Sequence, residues 1–243
     1  MHRTLYLTIL SLTAALLISS CGDSSTGSDD NNNNNQAPEL QVQQVEVPQA
    51  MQTSSDPKAQ QTVSYVGIAN SFSQYSAAWT PPQGASNLAK ASGVNDWSYE
   101  WTTGQLTIKM TVTETDDTFQ WRIVYDGTLG GQTFDNWTYM EATRSKDGSD
   151  GQMYIYAYNT EKVELEWHWM VDDNDVYNFE MISESLRILV NANPNKSGQV
   201  EVFNMNNGAY LITFKSVWDQ NGAGQWWEYD GEGDVSDNGD WDV

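Results

Sequence analysis

The residue types that carry out acid–base chemistry are few in this sequence, and one segment holds the best candidates. His168 stands between Trp167 and Trp169, and Glu164 and Glu166 precede it at two-residue spacing. A histidine titrates near neutral pH and can act as a general base. In an alternating strand, however, the two glutamates and His168 share the face opposite to the tryptophans, which is the face that meets solvent. We interpret them as solvent-side residues, with a general-base role for His168 as the alternative.

Motifs of other catalytic sites do not occur in the sequence. There is no Gly-x-Ser-x-Gly, no His-Glu-x-x-His and no phosphate-binding loop. Zinc and haem sites usually require several His or Cys side chains, whereas this chain has two histidines and one cysteine. Pairs among the 33 acidic residues could serve glycoside hydrolysis, but so many acids give that argument no specificity. We predict a protein that is not an enzyme and has no cofactor.

Two oxygen-rich segments favour calcium more than any other metal. Asp172, Asp173 and Asp175 surround Asn174 in a predicted turn, and further acids follow Glu228 to the C-terminus. Calcium takes about 6–8 oxygen ligands. Neither segment has the spacing of an EF-hand loop, so the simpler interpretation is a solvated turn and a disordered acidic tail over residues 231–243. Calcium binding by the three aspartates is the alternative.

The charge balance excludes one class of partner. The chain has 33 Asp and Glu against 11 Lys and Arg, a formal net charge of −22. Such a surface repels phosphate backbones. We therefore predict no binding to nucleic acid.

Aromatic residues are the strongest remaining feature, since the chain has 11 Trp and 12 Tyr. On the apolar faces of strands and helix they fill a core, or line a ligand cavity. The candidates for ligand binding are Trp121, Tyr125, Trp167, Trp169, Tyr65 and Phe72. Tyr154, Tyr156 and Tyr158 alternate with Met153 and Ile155, so we predict that they form an exposed aromatic surface.

The hydropathy pattern predicts one helix followed by a long meander of strands. Asp56-Pro57 is typical of a helix start, and Pro81-Pro82 of a helix end. Spacings of three and four predict one apolar stripe on this helix: Tyr65, Ile68, Phe72, Tyr75 and Trp79. From Trp97 the period changes to two, with short turns between successive segments. We predict a mainly β fold, an antiparallel up-and-down meander of about ten strands curled into a barrel or half-barrel, with the N-terminal helix packed on it or capping it.

The N-terminal segment has its own chemistry. A short basic start precedes a nearly apolar run from Leu5 to Ile18, too short to span a membrane and typical of a secretory signal. The following Ile18-Ser19-Ser20-Cys21 resembles the lipobox of bacterial lipoproteins. That resemblance implies cleavage after residue 20 and a diacylglyceryl group on the Cys21 thiol. It also implies a cell-envelope location, with the outer membrane favoured in a Gram-negative host because Gly22 replaces the aspartate of inner-membrane retention.

The remaining boundaries follow from composition. Residues 21–55 begin with a Ser-, Asp- and Asn-rich stretch, including Asn31 to Asn35, and are predicted to be a flexible tether. Within it, residues 37–53 could form an edge strand or an extended linker. Residues 56–230 are predicted to be a single β-rich domain with its leading helix.

Two functions fit these predictions. The first is a lipid-anchored carrier that binds a small apolar ligand in the barrel or half-barrel cavity. The alternative is a surface module for adhesion, glycan binding or an envelope complex, using exposed aromatic residues. Resemblance to lipocalin-like or lipoprotein-carrier half-barrels is limited to the architecture.

Overall fold

The chain folds into one long antiparallel sheet with a helix on one face. The computed structural model describes residues 37–77, 80–82, 85–88 and 96–243, and in 73–77 and 86–88 the backbone alone. Among these residues, the helices α1 (Gln49–Gln52) and α2 (Pro57–Ala77) precede the sheet. The signal peptide, the tether to residue 36 and Cys21 lie outside the described residues.

In the described part of the chain, thirteen strands follow one another in sequence order, each paired with the next. They are β1 (Ser86–Leu88), β2 (Asp96–Thr103), β3 (Gln105–Glu114), β4 (Thr118–Leu129), β5 (Gln132–Ser145), β6 (Asp150–Tyr156), β7 (Val163–Val171), β8 (Tyr177–Ser183), β9 (Leu186–Ala192), β10 (Gly198–Asn206), β11 (Ala209–Trp218), β12 (Gly224–Tyr229) and β13 (Val235–Trp241). Among the described strands, β1 and β13 do not pair with each other, so the sheet is open. The mainly β meander is confirmed, in the half-barrel form.

Short turns of one kind set the strand register at several hairpins. Asp172, Asp219 and Asp230 each begin a turn in which the first residue's backbone N–H donates to the carbonyl four residues later. Each Oδ1 also accepts the backbone N–H two residues later, at 2.8–2.9 Å. The fourth residue has positive φ, for example 59° at Asp175 and 101° at Gly222. A type I turn followed by a left-handed residue joins antiparallel strands with few residues.

We define the inner face of the sheet as the face that carries Trp167 and Trp169. Helix α2 covers this face at strands β7 to β12. Asp56 caps the helix, since its Oδ1 accepts the backbone N–H groups of Lys58 (2.7 Å) and Ala59 (3.1 Å). The helix is therefore confirmed at the predicted start.

The predicted apolar stripe of α2 is only partly correct. Phe72 is buried, but Ile68 is 38% exposed and Tyr65 is half-buried. The face against the sheet is formed by smaller residues: Ala59, Thr62, Val66, Ala69 and Phe72. Small side chains let the helix axis approach the sheet, so the largest residues were a poor guide to the buried side. Tyr75 and Trp79 fall outside the described side chains.

Residues 37–48, which we call the strap, are packed instead of forming a free linker. Trp121 Nε1 donates to the carbonyl of Pro38 at 3.2 Å, and Arg144 donates to the carbonyls of Glu39 and Gln41. Leu40, Val45 and Val47 of the strap are buried. The prediction of a flexible tether over residues 21–55 is therefore wrong for residues 37–55, because buried apolar side chains anchor this part in the core.

The acidic C-terminus is also ordered, in place of the disordered tail predicted for residues 231–243. Residues Val235–Trp241 form β13 and pair with β12. Trp241 is 3% exposed, and its Nε1 donates to the carbonyl of Gly222 at 2.7 Å. The buried indole of Trp241 and the backbone hydrogen bonds to β12 stabilise this segment, although its composition is polar.

Candidate binding site

Four neighbouring strands place one apolar side chain each in a line across the inner face. Trp101 of β2 pairs with Ile108 of β3, which pairs with Tyr125 of β4, which pairs with Trp137 of β5. Directly paired residues project to the same face of a sheet. We call these four residues the aromatic row. At a strand spacing of ~4.8 Å the row spans about 14 Å.

The aromatic row differs from the rest of the inner face in its exposure. Its four residues are half-buried, whereas their inner-face neighbours Met110, Trp121 and Met140 are fully buried. The row carries no charged side chain. It is therefore an apolar strip that solvent still reaches.

Bulges in the pairing of β4 with β5 bring a further aromatic ring, that of Tyr139, into contact with the row. The register shifts between Ile123 and Val124 and again between Tyr125 and Gly127, which leaves Tyr139 outside the pairing. Tyr139 stacks on Tyr125 with ring centroids 4.8 Å apart and an interplanar angle of 13°. Such bulges re-aim side chains and are common beside functional sites.

Further contacts hold Trp137 in place. Phe134 stacks on it at 5.4 Å and 18°, and its Nε1 donates to the carbonyl of Thr160 at 3.3 Å. Tyr158 packs edge-on against Phe134 at 5.3 Å, and its hydroxyl donates to the carbonyl of Thr133 at 2.7 Å. The rings are thus oriented before any ligand binds, which lowers the entropy cost of binding.

Tyr125 provides the main polar group of the row. Burial raises the pKa of its hydroxyl well above the ordinary value of 10, and the nearby Tyr139 raises it further. The hydroxyl is therefore neutral at physiological pH and available as a hydrogen-bond donor or acceptor.

Three of the predicted ligand residues, Phe72, Trp167 and Trp169, contact one another away from the row, between α2 and the sheet. Phe72 lies 5.3 Å from Trp167 and 5.4 Å from Trp169, measured between ring centroids. All three side chains are at most 3% exposed, so they fill the space between helix and sheet. Two buried donors in this region, Trp169 Nε1 and the Tyr177 hydroxyl, have no hydrogen-bond partner among the described residues.

The other predicted ligand residues occupy separate places. Tyr65 packs on Phe214 at 5.4 Å, and Trp121 lies beneath the strap, with Arg144 5.7 Å from its ring centroid. Of the six residues, only Tyr125 belongs to the aromatic row.

The predicted aromatic surface also divides into two parts. Tyr154 and Tyr156 lie half-buried on the outer face, where Tyr156 donates to Glu141 Oε2 at 2.7 Å and Tyr154 to Gln152 Oε1 at 3.1 Å. Tyr158, 42% exposed, follows β6 and joins the support of Trp137.

The acid–base and calcium candidates have structural partners. His168 Nε2 contacts Glu166 Oε1 on the outer face, and both side chains are partly exposed. Asp172 Oδ1 accepts the backbone N–H groups of Asn174 and Val176, which is a turn function. Across the part of the chain that the structure describes, no three His, Cys, Asp or Glu side chains are grouped to hold a metal ion. Calcium binding stays a prediction.

A separate groove lies between the strap and α2. It has a volume of about 350 Å³, and its walls include Val45, Val47, Val63 and Val66, with Asn70 and Lys196 among the polar residues. Asn70 is already engaged, since its side-chain amide exchanges two hydrogen bonds of 2.8 Å with the backbone of Val45. We find no second feature there that selects a ligand.

The sequence interpretation did not single out Trp101, Ile108, Phe134, Trp137 and Tyr139. Period-two alternation placed Ile108 and Tyr125 on apolar faces, but their alignment across strands depends on turn lengths and on the β4–β5 bulges. Neither a protein-family model nor a curated protein sequence matches this chain. None of the described helices is both long and apolar enough to cross a membrane.

Proposed function

We propose that the protein is a lipid-anchored, non-enzymatic binding protein of the bacterial cell envelope, and that the aromatic row takes up a small apolar or amphipathic molecule. The observation that carries this proposal is the row itself, in which four paired strands present uncharged, half-buried side chains on the inner face. Ligand sites are commonly concave, mostly apolar and supplied with few polar groups. Tyr125 would be such a polar group.

The size of the row sets the expected affinity. Covering it with a ligand would remove ~400 Å² of apolar surface from water, counting both partners, which contributes about 10 kcal/mol. Association costs take at least ~4 kcal/mol of this. At most about 6 kcal/mol is left, so we expect a dissociation constant of about 40 µM or weaker.

The proposed anchor rests on Cys21 alone. A diacylglyceryl group there would hold the protein stably at the membrane, since two acyl chains bind strongly where one is marginal. In a Gram-negative host we propose the outer membrane as its location. Metabolic labelling with a palmitate analogue should label the native chain and not Cys21→Ser.

A glycan-binding or envelope-interaction module is the second candidate. The observation that favours it is Tyr158, which is 42% exposed and whose hydroxyl donates to the carbonyl of Thr133, a carbonyl that also accepts the side-chain amide of Asn159. Exposed aromatic faces flanked by amides and hydroxyls suit sugar stacking.

Calorimetric titration separates the two candidates. The chain carrying Cys21→Ser, which prevents lipidation, is titrated with octyl glucoside and, separately, with a neutral glucose oligosaccharide. Binding of the octyl compound alone, weakened at least about fivefold by Trp137→Ala and unchanged by the outer-face variant Tyr156→Phe, would support the row as an apolar site. Binding of the free oligosaccharide would favour the module, and binding of neither would refute both.

A further inference from the structure

We propose that Met170 and Met205 are two modification sites, at which hydrogen peroxide and related two-electron oxidants convert the thioether to a sulfoxide without unfolding the protein. Neither residue belongs to the aromatic row, so the inference goes beyond the proposed function. Its basis is the way in which the sheet divides its methionines between core and surface.

The methionines of the described residues fall into two groups by exposure. Met170 is 50% exposed and Met205 is 38% exposed. The members of the other group are at most 5% exposed: Met51, Met110, Met140, Met153 and Met181. Within the described chain, no methionine has an exposure between these two groups. The structure therefore separates an accessible pair from a protected group.

Strand alternation accounts for the protected group. Met153 of β6 and Met181 of β8 are the direct partners of Trp167 on either side of β7. Directly paired residues project to the same face, so both methionines lie on the inner face with this buried tryptophan. Because a protein core is close-packed, an oxidant reaches such a sulfur atom only when the structure opens.

The accessible pair lies outside this packing. Met170 follows the inner-face residue Trp169 in β7, so it projects to the outer face. Met205 is the last residue but one of β10, and its neighbours Asn204 and Asn206 are both exposed. Solvent therefore reaches both side chains in the folded protein.

The modification is a transfer of one oxygen atom. A lone pair of the thioether sulfur attacks one oxygen of hydrogen peroxide, the O–O bond breaks and an S–O bond forms. The proton of the transferred oxygen passes to the departing hydroxide, which leaves as water. The sulfur has then lost two electrons and the peroxide has gained them. Since the protein supplies only the sulfur, accessibility decides which methionine reacts.

The position of each methionine also decides what its oxidation does to the fold. A sulfoxide is polar and disrupts the packing of a core. At Met170 and Met205 the new oxygen stays in contact with water, so no unpaired polar group is buried. We therefore expect the oxidised protein to keep its stability. Both sulfoxides should also be open to reduction by methionine sulfoxide reductases.

Treatment of the folded Cys21→Ser chain with hydrogen peroxide, followed by mass-spectrometric peptide mapping over residues 37–243, tests the inference. The substitution removes the thiol, which peroxide also oxidises. Met170 and Met205 should each gain one oxygen. Met205 should react several times faster than Met181, since their exposed fractions are 38% and 5%. In denaturing urea the protected methionines should react as fast as the accessible pair.

Two double variants provide the comparison. Met170→Leu/Met205→Leu should gain no oxygen on methionine while the protein is folded. Its matched control, Met110→Leu/Met181→Leu, replaces two core methionines by residues of similar volume and should gain the same two oxygens as the parent chain. The urea midpoint of the parent chain should be the same before and after oxidation of Met170 and Met205.

Each part of the inference can fail separately. Oxygen on a core methionine at the rate of Met170, or no oxygen on Met170 or Met205, would overturn the assignment of the sites. A lower urea midpoint when only these two residues are oxidised would overturn the claim that the fold is unaffected. Neither measurement uses a ligand, so both outcomes are independent of the proposed function.

Discussion

The indole of Trp218 lies directly over Gly198, its partner on the neighbouring strand β10. A Cβ on Gly198 would meet Trp218 Cζ2 at 2.6 Å and the carbonyl oxygen of Asn191 at 2.5 Å. The Trp218 Nε1 donates to the carbonyl of Lys196 at 2.8 Å, in the turn that leads into β10. Because Gly198 has no side chain, the ring of Trp218 can pack directly against its backbone.

The same pairing recurs along the sheet. Gly151 lies beneath Trp169 and Gly224 beneath Trp241, with a Cβ-to-ring distance of 2.2–2.3 Å in each case. Glycine weakens a strand by its flexibility, and a cross-strand aromatic ring compensates by covering it. These pairs explain how so many tryptophans fit on one inner face.

Alanine at Gly224 should therefore destabilise the protein. The added methyl would force Trp241 or the β11 backbone to move, and overpacking of this kind costs about 1–3 kcal/mol. Chemical denaturation of Gly224→Ala measures the loss. Gly231→Ala is the matched control, since no atom lies within 4 Å of its Cβ position, and equal losses in both variants would contradict this explanation.

The opposite result is expected at Gly67, in the middle of α2. Its Cβ position has no neighbour within 4 Å, and the residue is exposed. Gly67→Ala should stabilise the protein by about 1 kcal/mol, because glycine loses more backbone entropy than alanine in a helix. A lower midpoint of urea denaturation would show that this part of α2 is not a regular, solvent-exposed helix.

The acid side of the stability profile should reflect Asp147, in the β5–β6 turn. Its carboxylate accepts the backbone N–H and the hydroxyl of Ser149 at 2.9 and 2.8 Å, and these bonds lower its pKa to about 2. The stabilisation is present above the ordinary pKa of 3.8 and is lost as the pH falls through about 2. NMR titration should place the Asp147 pKa near 2, and in Ser149→Ala the pKa should rise only part of the way towards 3.8, because the backbone N–H of residue 149, the larger cause of the shift, is kept.

The strands were predictable because each hairpin carries a local pattern. In β7, Leu165, Trp167 and Trp169 alternate with Glu166 and His168, and the structure places the two sets on opposite faces. The Asp56 cap is equally local. The buried side of α2 was not predictable, since packing distance favoured Ala59 and Ala69 over Ile68.

The candidate site could not be predicted from local sequence patterns, because it depends on how separate strands are aligned. Tyr125 and Trp137 belong to separate segments, and only the bulges that set Tyr139 aside bring them opposite each other. The strap was missed for a related reason. Its few apolar residues are stabilised by distant partners, such as Asn70 for Val45 and Trp121 for Pro38.

One buried polar pair joins α2 to the sheet and can be tested by a double-mutant cycle. Thr62 and Ser216 are both fully buried, and their hydroxyls are 2.8 Å apart. Because the Thr62 hydroxyl also bonds to the carbonyl of Lys58, Ser216 donates to Thr62. Thr62→Val should cost about 1–3 kcal/mol by leaving the Ser216 hydroxyl without a partner. Thr62→Val/Ser216→Ala should cost less than the sum of the single changes, and full additivity would show that the two groups are not coupled.

The ordered C-terminus makes the most direct prediction about the fold. Trp241 is buried over Gly224 and bonded to the Gly222 carbonyl, although its neighbours Asp240 and Asp242 are exposed. Trp241→Ala should therefore lower the free energy of unfolding by about 3–5 kcal/mol, as expected for a buried aromatic residue. The control is Asp242→Ala, which changes an exposed residue next to it and should cost less than about 0.5 kcal/mol. Equal and small effects of both substitutions, together with rapid amide exchange over residues 235–241, would mean that β13 does not pair stably with β12.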